Sequence, residues 1–245
     1  MSVVVRDFGT GPRQEDRVPC MGEMIELEND ARGYLAVPDS GSGPGVLVIQ
    51  EWWGLNPQMK GTADHLAENG FVALAPDLYR GEVAGHDEMD KAGHLMTTLP
   101  AERAAADMSL AVDALRDHAS TTGSTIGAIG FCMGGMLSLL VAALRGDAVG
   151  AAVPFYGYPT GEEPDWTDLR ATVRGHFCEH DDFFPADGAR DLEARLQGMG
   201  KDVQITFHPA GHAFMNETDP FGIHDAELAA QLWPEVIDFL HGELS

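Results

Sequence analysis

The sequence has few basic residues. Its 15 lysine and arginine residues stand against 39 aspartate and glutamate residues, which gives a formal net charge of −24. Nucleic-acid binding depends on basic side chains that neutralise phosphates, and anionic membrane surfaces attract the same side chains. We therefore expect neither a nucleic acid nor a membrane as a partner of this protein.

Cysteine is also scarce. The three cysteines, Cys20, Cys132 and Cys178, are too few for a disulfide framework in a chain of 245 residues, and such usage is typical of a reducing compartment. The N-terminus lacks the basic and apolar regions of a secretory signal. The longest weakly polar stretch, Met133 to Leu144, is shorter than the roughly 20 residues that span a bilayer. We therefore predict a cytoplasmic protein.

Repeats, low-complexity tracts and hinge-like linkers are absent from the sequence. Hydrophobic residues make up 44% of the chain and charged residues 22%, which is typical of a globular protein. A chain of 245 residues that folds as one unit buries about 70–75% of its extended surface, which is enough for a large core without disulfides or metals. We expect a single domain over residues 1–245, present as a monomer or a small homo-oligomer.

Apolar runs alternate with amphipathic segments after a predicted β-hairpin between Met24 and Val37. Continuous apolar runs are typical of parallel strands that are buried on both faces. The alternation therefore predicts an α/β fold with a mostly parallel central sheet flanked by helices on both faces. The ligand site of such a sheet lies at the carboxyl ends of its strands. The strands predicted after the hairpin are 45–50, 71–75, 125–129, 149–153, 171–178 and 203–207, and the predicted helices are 59–69, 101–118, 133–144, 186–197 and 227–240.

A glycine-rich turn lies between a predicted strand and the next predicted helix. Its sequence is Gly130-Phe131-Cys132-Met133-Gly134-Gly135, which has the pattern Gly-x-nucleophile-x-Gly with cysteine where serine is more common. The N-terminus of the helix places partial positive charge near the sulfur, which favours the thiolate. The backbone N–H of Met133 is free to donate to an oxyanion. Cys132 is thus the candidate nucleophile, and the alternative is a small buried cysteine in a tight turn.

A cysteine nucleophile of this kind needs a general base and an acid that orients the base. In folds with this turn the order along the chain is nucleophile, acid, histidine. His212 follows the last predicted strand, directly after Gly211, and is the candidate base, with His208 at the strand end as the alternative. Asp181 and Asp182 both follow the preceding predicted strand, and their spacing does not separate them as candidates for the acid.

Two further candidates lie at or near the predicted strand ends: one acidic residue, and a group of histidine and cysteine residues of the types that bind metal ions. Glu51 follows the first parallel strand, where it is either a proton acceptor for the thiol or a solvated loop acid. His176, Cys178 and His180 alternate along a predicted strand and would point the same way. Because no second ligand pair at zinc-like spacing accompanies them, we expect no metal site.

Five short motifs lie at or near the predicted strand ends. They are Gln50-Glu51-Trp52-Trp53-Gly54, Pro76-Asp77-Leu78-Tyr79, Gly130-Phe131-Cys132-Met133-Gly134-Gly135, His180-Asp181-Asp182-Phe183-Phe184-Pro185 and Gly211-His212-Ala213-Phe214. Together, and in this order, they resemble the dienelactone hydrolase family from about residue 24 to residue 240. The resemblance implies an α/β-hydrolase fold and a Cys-Asp-His triad that typically cleaves cyclic enol esters, with no cofactor.

The resemblance also assigns a role to each matching position. It implies Cys132 as nucleophile, His212 as general base, Asp181 rather than Asp182 as the orienting acid, and the backbone N–H groups of Trp52 and Met133 as the oxyanion hole. It further implies that Glu51 keeps the resting thiol protonated until substrate displaces its carboxylate.

The chain departs from the family at the residues that hold the substrate. The best-known members of the family hold the carboxylate of the lactone with two arginines. Arg80 lies one place early for the first arginine, beside Tyr79, and Asn216 stands at the place of the second. Loss of a bidentate guanidinium removes both charge and geometry. We therefore expect Arg80, Tyr79 and Trp53 to contact a substrate other than the family's anionic lactone.

The sequence thus predicts a hydrolase that cleaves a small-molecule lactone or ester through an acyl-enzyme on Cys132. The alternative is a non-catalytic member of the family that binds a small molecule or another protein on the same scaffold. Thiol redox chemistry is a weaker hypothesis because the chain has no Cys-x-x-Cys motif.

Overall fold

The structure is a computed structural model that describes residues 22–161, 163–218 and 221–244. Cys20, which has no predicted role, lies outside the described residues. The strands are β1 (Glu23–Glu26), β2 (Arg32–Ala36), β3 (Gly43–Ile49), β4 (Val72–Pro76), β5 (Thr121–Phe131), β6 (Val149–Phe155), β7 (Thr172–His180) and β8 (Val203–Gly211). The helices are α1 (Pro57–Glu68), α2 (Met89–Thr98), α3 (Ala101–Asp117), α4 (Met133–Leu144), α5 (Ala186–Gly198) and α6 (Ala226–Leu244), and a short 3-10 helix spans Trp166–Asp168.

The strands of the described residues form one sheet in the order β1-β2-β4-β3-β5-β6-β7-β8. β1 and β2 form the predicted hairpin, and β2 also pairs antiparallel with β4, whereas the other neighbouring strands are parallel. The hairpin turn contains Asn29 and Asp30, whose φ angles of 56° and 58° lie in the left-handed region that these two residue types tolerate. The mostly parallel α/β sheet predicted from the sequence is confirmed.

Strand β3 shows why the parallel strands are continuous apolar runs. Successive side chains of a strand point to opposite faces of the sheet. Val46 and Val48 pack into the core on the face that α1 and α6 cover. Leu47 and Ile49 pack into the core on the face that α3, α4 and α5 cover. Because both faces are covered by helices, all four side chains are fully buried and the strand has no polar face.

The sequence prediction missed one helix and made four strands too short. Strand β6 ends at Phe155 and not at 153, β7 at His180 and not at 178, β8 at Gly211 and not at 207, and β5 is longer at both ends. Helix α2 is missed although Met89, Ala92, Leu95 and Met96 recur at helical spacing, because the segment is short and contains Gly93 and two threonines, which have low helix propensity. Strand β5 begins at Thr121, before the predicted 125–129, because its first residues are polar and largely exposed. Helix α4 has the predicted bounds, Met133–Leu144. Among the described residues, none of the helices has the length and apolar character needed to cross a membrane.

Candidate active site

Cys132 lies in the sharp turn between β5 and α4, at the carboxyl edge of the sheet. Its φ and ψ angles are 55° and −118°, a conformation that costs a residue with a side chain about 1–3 kcal/mol. The glycines on both sides make the turn possible. A Cβ atom on Gly130 would collide with the backbone of Gly134, and a Cβ atom on Gly134 would collide with the carbonyl group of Ile49. The Gly-x-Cys-x-Gly pattern therefore reflects close backbone packing around the cysteine.

The surroundings of Cys132 favour the protonated form of its thiol. Burial has the largest effect on its pKa and, together with the negative charge of Glu51, raises the pKa well above its usual value. The backbone N–H groups of Met133 and Trp52 both approach the sulfur and lower the pKa by a smaller amount. Burial and the neighbouring carboxylate thus oppose the effect of the helix N-terminus, in the direction that the family resemblance implies for Glu51.

Asp181 and His212 meet just beyond the ends of β7 and β8. His212 Nδ1 lies 2.8 Å from Asp181 Oδ2. The other oxygen of Asp181 accepts hydrogen bonds from the backbone N–H groups of Phe183 at 2.8 Å and Phe184 at 2.9 Å. Burial alone would raise the pKa of Asp181, but the bond to His212 and these N–H groups together hold the pKa below its usual value. The carboxylate is therefore ionised and faces the imidazole.

The structure separates the alternatives that spacing left open. The side chain of Asp182 is exposed, whereas that of Asp181 is almost fully buried against His212. His208 is instead paired with His176, whose Nδ1 lies 3.2 Å from the Nε2 of His208. Asp181 and His212 are thus the acid and the histidine that the fold brings together.

Glu51 and Asn216 form a buried pair next to the cysteine. Glu51 is 1% exposed and Asn216 is 0% exposed. Asn216 Nδ2 donates to Glu51 Oε2 at 2.6 Å. Burial raises the pKa of Glu51 to about 7, and the bond from Asn216 and the nearby hydroxyl of Tyr156 limit the rise. The hydroxyl of Tyr156 and the second oxygen of Glu51, Oε1, are both buried and make no geometrically sound hydrogen bond in the described part of the chain.

Tyr156 connects the cysteine side of the site to the histidine side. Its ring lies 5.2 Å from the ring of His212, edge to face. Burial, and then the charges of Glu51 and Cys132, raise the pKa of its hydroxyl well above the usual value. In the residues that the structure describes, no hydrogen bond joins Cys132 to His212. Tyr156 was not predicted from the sequence, although its position directly after β6, at the same edge of the sheet, is the signal that points to it.

An aromatic wall surrounds the imidazole of His212. The ring of Phe183 lies 4.8 Å from the imidazole, is 50% exposed, and packs against the ring of Trp52 at 6.4 Å. Trp53 was predicted to contact substrate, but its side chain is 1% exposed and packs between Trp52 and His86. The prediction for Trp53 is therefore not supported, because the edge-to-face packing places its ring in the core.

Tyr79 and Arg80 have different surroundings. The hydroxyl of Tyr79 donates to Met133 Sδ at 3.5 Å, and its pKa is raised by burial and then by the charge of Cys132, so it lies beside the elbow. Arg80 forms an ion pair with Asp107 on α3 at 2.8 Å and donates to the carbonyl oxygen of Asn29 at 3.2 Å. The predicted substrate contact of Arg80 is thus not supported, because its guanidinium is bound to α3 and to the hairpin turn.

The residues His176, Cys178 and His180 do not form a common site, because His176 and Cys178 have different hydrogen-bond partners. His176 pairs with His208, and Cys178 Sγ donates to the carbonyl oxygen of Gly211 at 3.1 Å. Over the described ranges, no group of at least three His, Cys, Asp or Glu side chains is placed to hold a metal ion.

The sheet order, the cysteine elbow between β5 and α4, and the acid and histidine after β7 and β8 define an α/β-hydrolase. The sequence model of the dienelactone hydrolase family matches residues 31–244. The chain therefore belongs to the dienelactone hydrolase family, and the resemblance seen in its motifs is confirmed. Membership makes it an ester or lactone hydrolase.

Similar proteins cover nearly the whole chain. "Protein usf" from Aquifex pyrophilus is 36% identical over 229 residues, which cover 89% of this chain and 97% of that protein. "Putative carboxymethylenebutenolidase" from Aquifex aeolicus (strain VF5) is 34% identical, with the same 89% and 97% covered. The solved structure "m3DLH" is 26% identical, covers 91% of this chain and 98% of its own, and superimposes with a TM-score of 0.81.

Proposed function

We propose that this hydrolase cleaves a lactone or ester through an acyl-enzyme on Cys132. The observation that carries the proposal is the position of the sulfur. It stands on a left-handed turn at the head of α4, with the backbone N–H groups of Met133 and Trp52 directed at it. These are the donors that an oxyanion needs when a thiolate attacks a carbonyl carbon. A buried cysteine with only a structural role would not require two backbone N–H groups directed at its sulfur.

The acid and histidine complete a nucleophile–base–acid series. Asp181 holds the N–H of the His212 imidazole and leaves the other ring nitrogen as the base. His212 takes the proton of Cys132, and the thiolate attacks the carbonyl carbon of the substrate. When the tetrahedral intermediate collapses, the C–O bond breaks and the leaving alkoxide receives that proton from His212. His212 then takes a proton from water, the resulting hydroxide cleaves the thioester, and the proton returns to the sulfur.

Glu51 keeps this series inactive until substrate is bound. Its charge adds to the effect of burial in raising the pKa of the Cys132 thiol. With a pKa of about 7, Glu51 itself exchanges protons near neutral pH. Substrate that enters between Glu51 and the sulfur displaces the carboxylate, and rotation of the cysteine side chain then brings the sulfur to His212.

The substrate of the proposed reaction is uncharged near its carbonyl group. Arg80 is bound to Asp107, and Asn216 is bound to Glu51, so neither is free to hold a substrate carboxylate. The carboxylate of Asp181 adds negative charge to the site. The exposed ring of Phe183 instead offers an apolar surface beside the histidine.

Replacement of the nucleophile tests the proposal. We expect Cys132→Ala to abolish hydrolysis of a chromogenic ester while its circular dichroism spectrum stays that of the wild type. Cys178→Ala is the matched control: Cys178 is a buried cysteine that lies near Asp181 and Cys132. Its thiol donates to the carbonyl oxygen of Gly211 and does not stand at the head of α4, so we expect this variant to keep measurable activity. Mass spectrometry of a quenched reaction should find the acyl group on the Cys132 peptide. Full activity in Cys132→Ala would contradict the proposal.

A further inference from the structure

Thr218 fixes the orientation of the buried amide of Asn216. The backbone N–H of Thr218 donates to Asn216 Oδ1 at 3.1 Å, and the hydroxyl of Thr218 donates to the same oxygen. Because a backbone N–H is only a donor, the atom that it contacts must be the oxygen of the amide. The Nδ2 group is therefore turned to Glu51, where it donates to Oε2 at 2.6 Å.

This hydrogen bond gives the two oxygens of the Glu51 carboxyl group different surroundings. Oε2 is held by Asn216, whereas Oε1 is buried and has no hydrogen bond partner within the described residues. After burial, the charge of Glu51 is the largest cause that raises the pKa of both Cys132 and Tyr156, so both groups lie within its electrostatic reach. The free oxygen is thus available to a proton from one of these two neighbours.

Titratable groups face Glu51, or the thiol beside it, from every neighbouring strand end. They are Cys132 at the start of α4, Tyr156 after β6, Tyr79 after β4, Cys178 on β7 and Asp181 after β7, and His212 after β8 contacts the ring of Tyr156. Asn216 differs from all of them because an amide does not titrate. Its contribution to the site is therefore a hydrogen bond of constant direction at every pH.

We propose that Asn216 is a positioning residue that anchors Glu51 through Oε2 and so leaves Oε1 to face the Cys132 thiol and the Tyr156 hydroxyl. The inference rests on the proposed function of Cys132 as nucleophile. A neutral donor favours the ionised carboxylate without cancelling its charge, so Glu51 keeps a pKa of about 7. A guanidinium at this place would lower that pKa further and prevent Glu51 from exchanging a proton near neutral pH.

An infrared titration of the Glu51 carboxyl tests the inference without turnover. Difference spectra between the wild type and Glu51→Gln isolate the protonated carboxyl, whose midpoint is expected at about 7. Asn216→Leu removes the donor, so we expect the midpoint to rise by about one pH unit. Asn216→Asp keeps the side-chain volume and the oxygen that Thr218 contacts, and it sets a second carboxyl against Glu51. The two carboxyls then share a proton, and the midpoint rises further.

Asn56 provides the matched control. It is buried and caps the N-terminus of α1 by accepting a hydrogen bond from the backbone N–H of Met59. Aspartate caps a helix as well as asparagine does, so Asn56→Asp adds the same charge at a buried site without loss of the cap. We expect the infrared midpoint of this variant to equal that of the wild type.

The pH profile of kcat/KM gives the second measurement. The limb of the profile that Glu51→Gln removes reports the ionisation of Glu51, and we expect Asn216→Leu to move that limb upward by the same one unit or so as the infrared midpoint. We expect no such shift when Asn216→Leu is added to Glu51→Gln, because Asn216 acts through Glu51. An unchanged infrared midpoint in the folded Asn216 variants, or an equal shift of the limb without Glu51, would overturn the inference. Activity that survives Cys132→Ala would instead contradict the proposed nucleophile.

Discussion

His180 lies opposite Gly211 in the parallel ladder between β7 and β8. Both strands end at these residues, so the next residue of each chain segment, Asp181 and His212, leaves the sheet at the same point. Their side chains meet at 2.8 Å although 31 positions separate them in the sequence. The register of two strands thus sets the contact on which the base depends.

The first prediction concerns the orienting acid. We expect Asp181→Asn to lower kcat by about 10⁴-fold with little change in KM. The amide oxygen keeps the contacts with the backbone N–H groups of Phe183 and Phe184, but the amide favours the wrong tautomer of His212. Steady-state hydrolysis of a chromogenic ester measures the effect. Asp182→Asn changes the exposed neighbour and should leave kcat unchanged, so an equal loss in both variants would contradict the role of Asp181.

The second prediction concerns the glycines of the elbow. We expect Gly134→Ala to destabilise the protein by several kcal/mol, because its Cβ atom would collide with the backbone carbonyl groups of Ile49 and Gln50. Gly61 lies inside α1 with no atom close to the position of an added Cβ, so Gly61→Ala should stabilise by up to about 1 kcal/mol. Urea unfolding of both variants measures the free energies. A mild effect at Gly134 would show that the elbow can relax.

Residues that belong to a local pattern were predictable from the sequence. Cys132 lies in a strand–glycine–helix pattern, and Asp181, Asp182 and His212 follow predicted strands, so the topology places these candidates at one edge of the sheet. The choice of Asp181 over Asp182 came from the family resemblance. Helix α2 was missed although its apolar residues have helical spacing, because the segment is short, contains Gly93 and ends in two threonines. Local patterns therefore determine which elements form and which residues reach the site.

Side-chain partners across the site were not predictable in the same way. Asn216 was identified as the place of a missing arginine, but its contact with Glu51 joins residues 165 positions apart. Arg80 stands beside the Pro-Asp-Leu-Tyr motif, yet its ion pair with Asp107 depends on how α3 packs. Each of these contacts follows from the packing of distant segments, which no window of sequence contains.

The third prediction concerns the charge of the substrate. We expect a neutral ester to be hydrolysed with kcat/KM at least about tenfold higher than an analogue that carries a carboxylate on its acyl group. The reason is that Arg80 is bound to Asp107, while Asp181 adds a buried negative charge. Assays at low and high salt measure the ratio, and it should narrow at high salt because salt screens the repulsion. A preference for the anionic analogue at low salt would contradict the expectation.

The fourth prediction concerns the pH dependence of stability. Burial raises the pKa of Glu51 from 4.5 to about 7, so the folded protein holds this proton more tightly than the unfolded chain does. The resulting stabilisation is complete below about pH 4.5 and is lost as the pH rises through about 7, which amounts to about 3 kcal/mol. Glu51→Gln has no proton to lose at this position. Its stability relative to the wild type should therefore increase between pH 5 and pH 8.

Urea unfolding of both proteins across this pH range measures the difference, and other titrating groups cancel because the two chains share them. Gly61→Ala is the matched control, because it changes no titratable group and its added Cβ atom meets no neighbouring atom. Its difference from the wild type should stay constant over the same range. Parallel stability curves for the wild type and Glu51→Gln would show that Glu51 ionises in the folded protein as easily as in water, which would contradict its raised pKa.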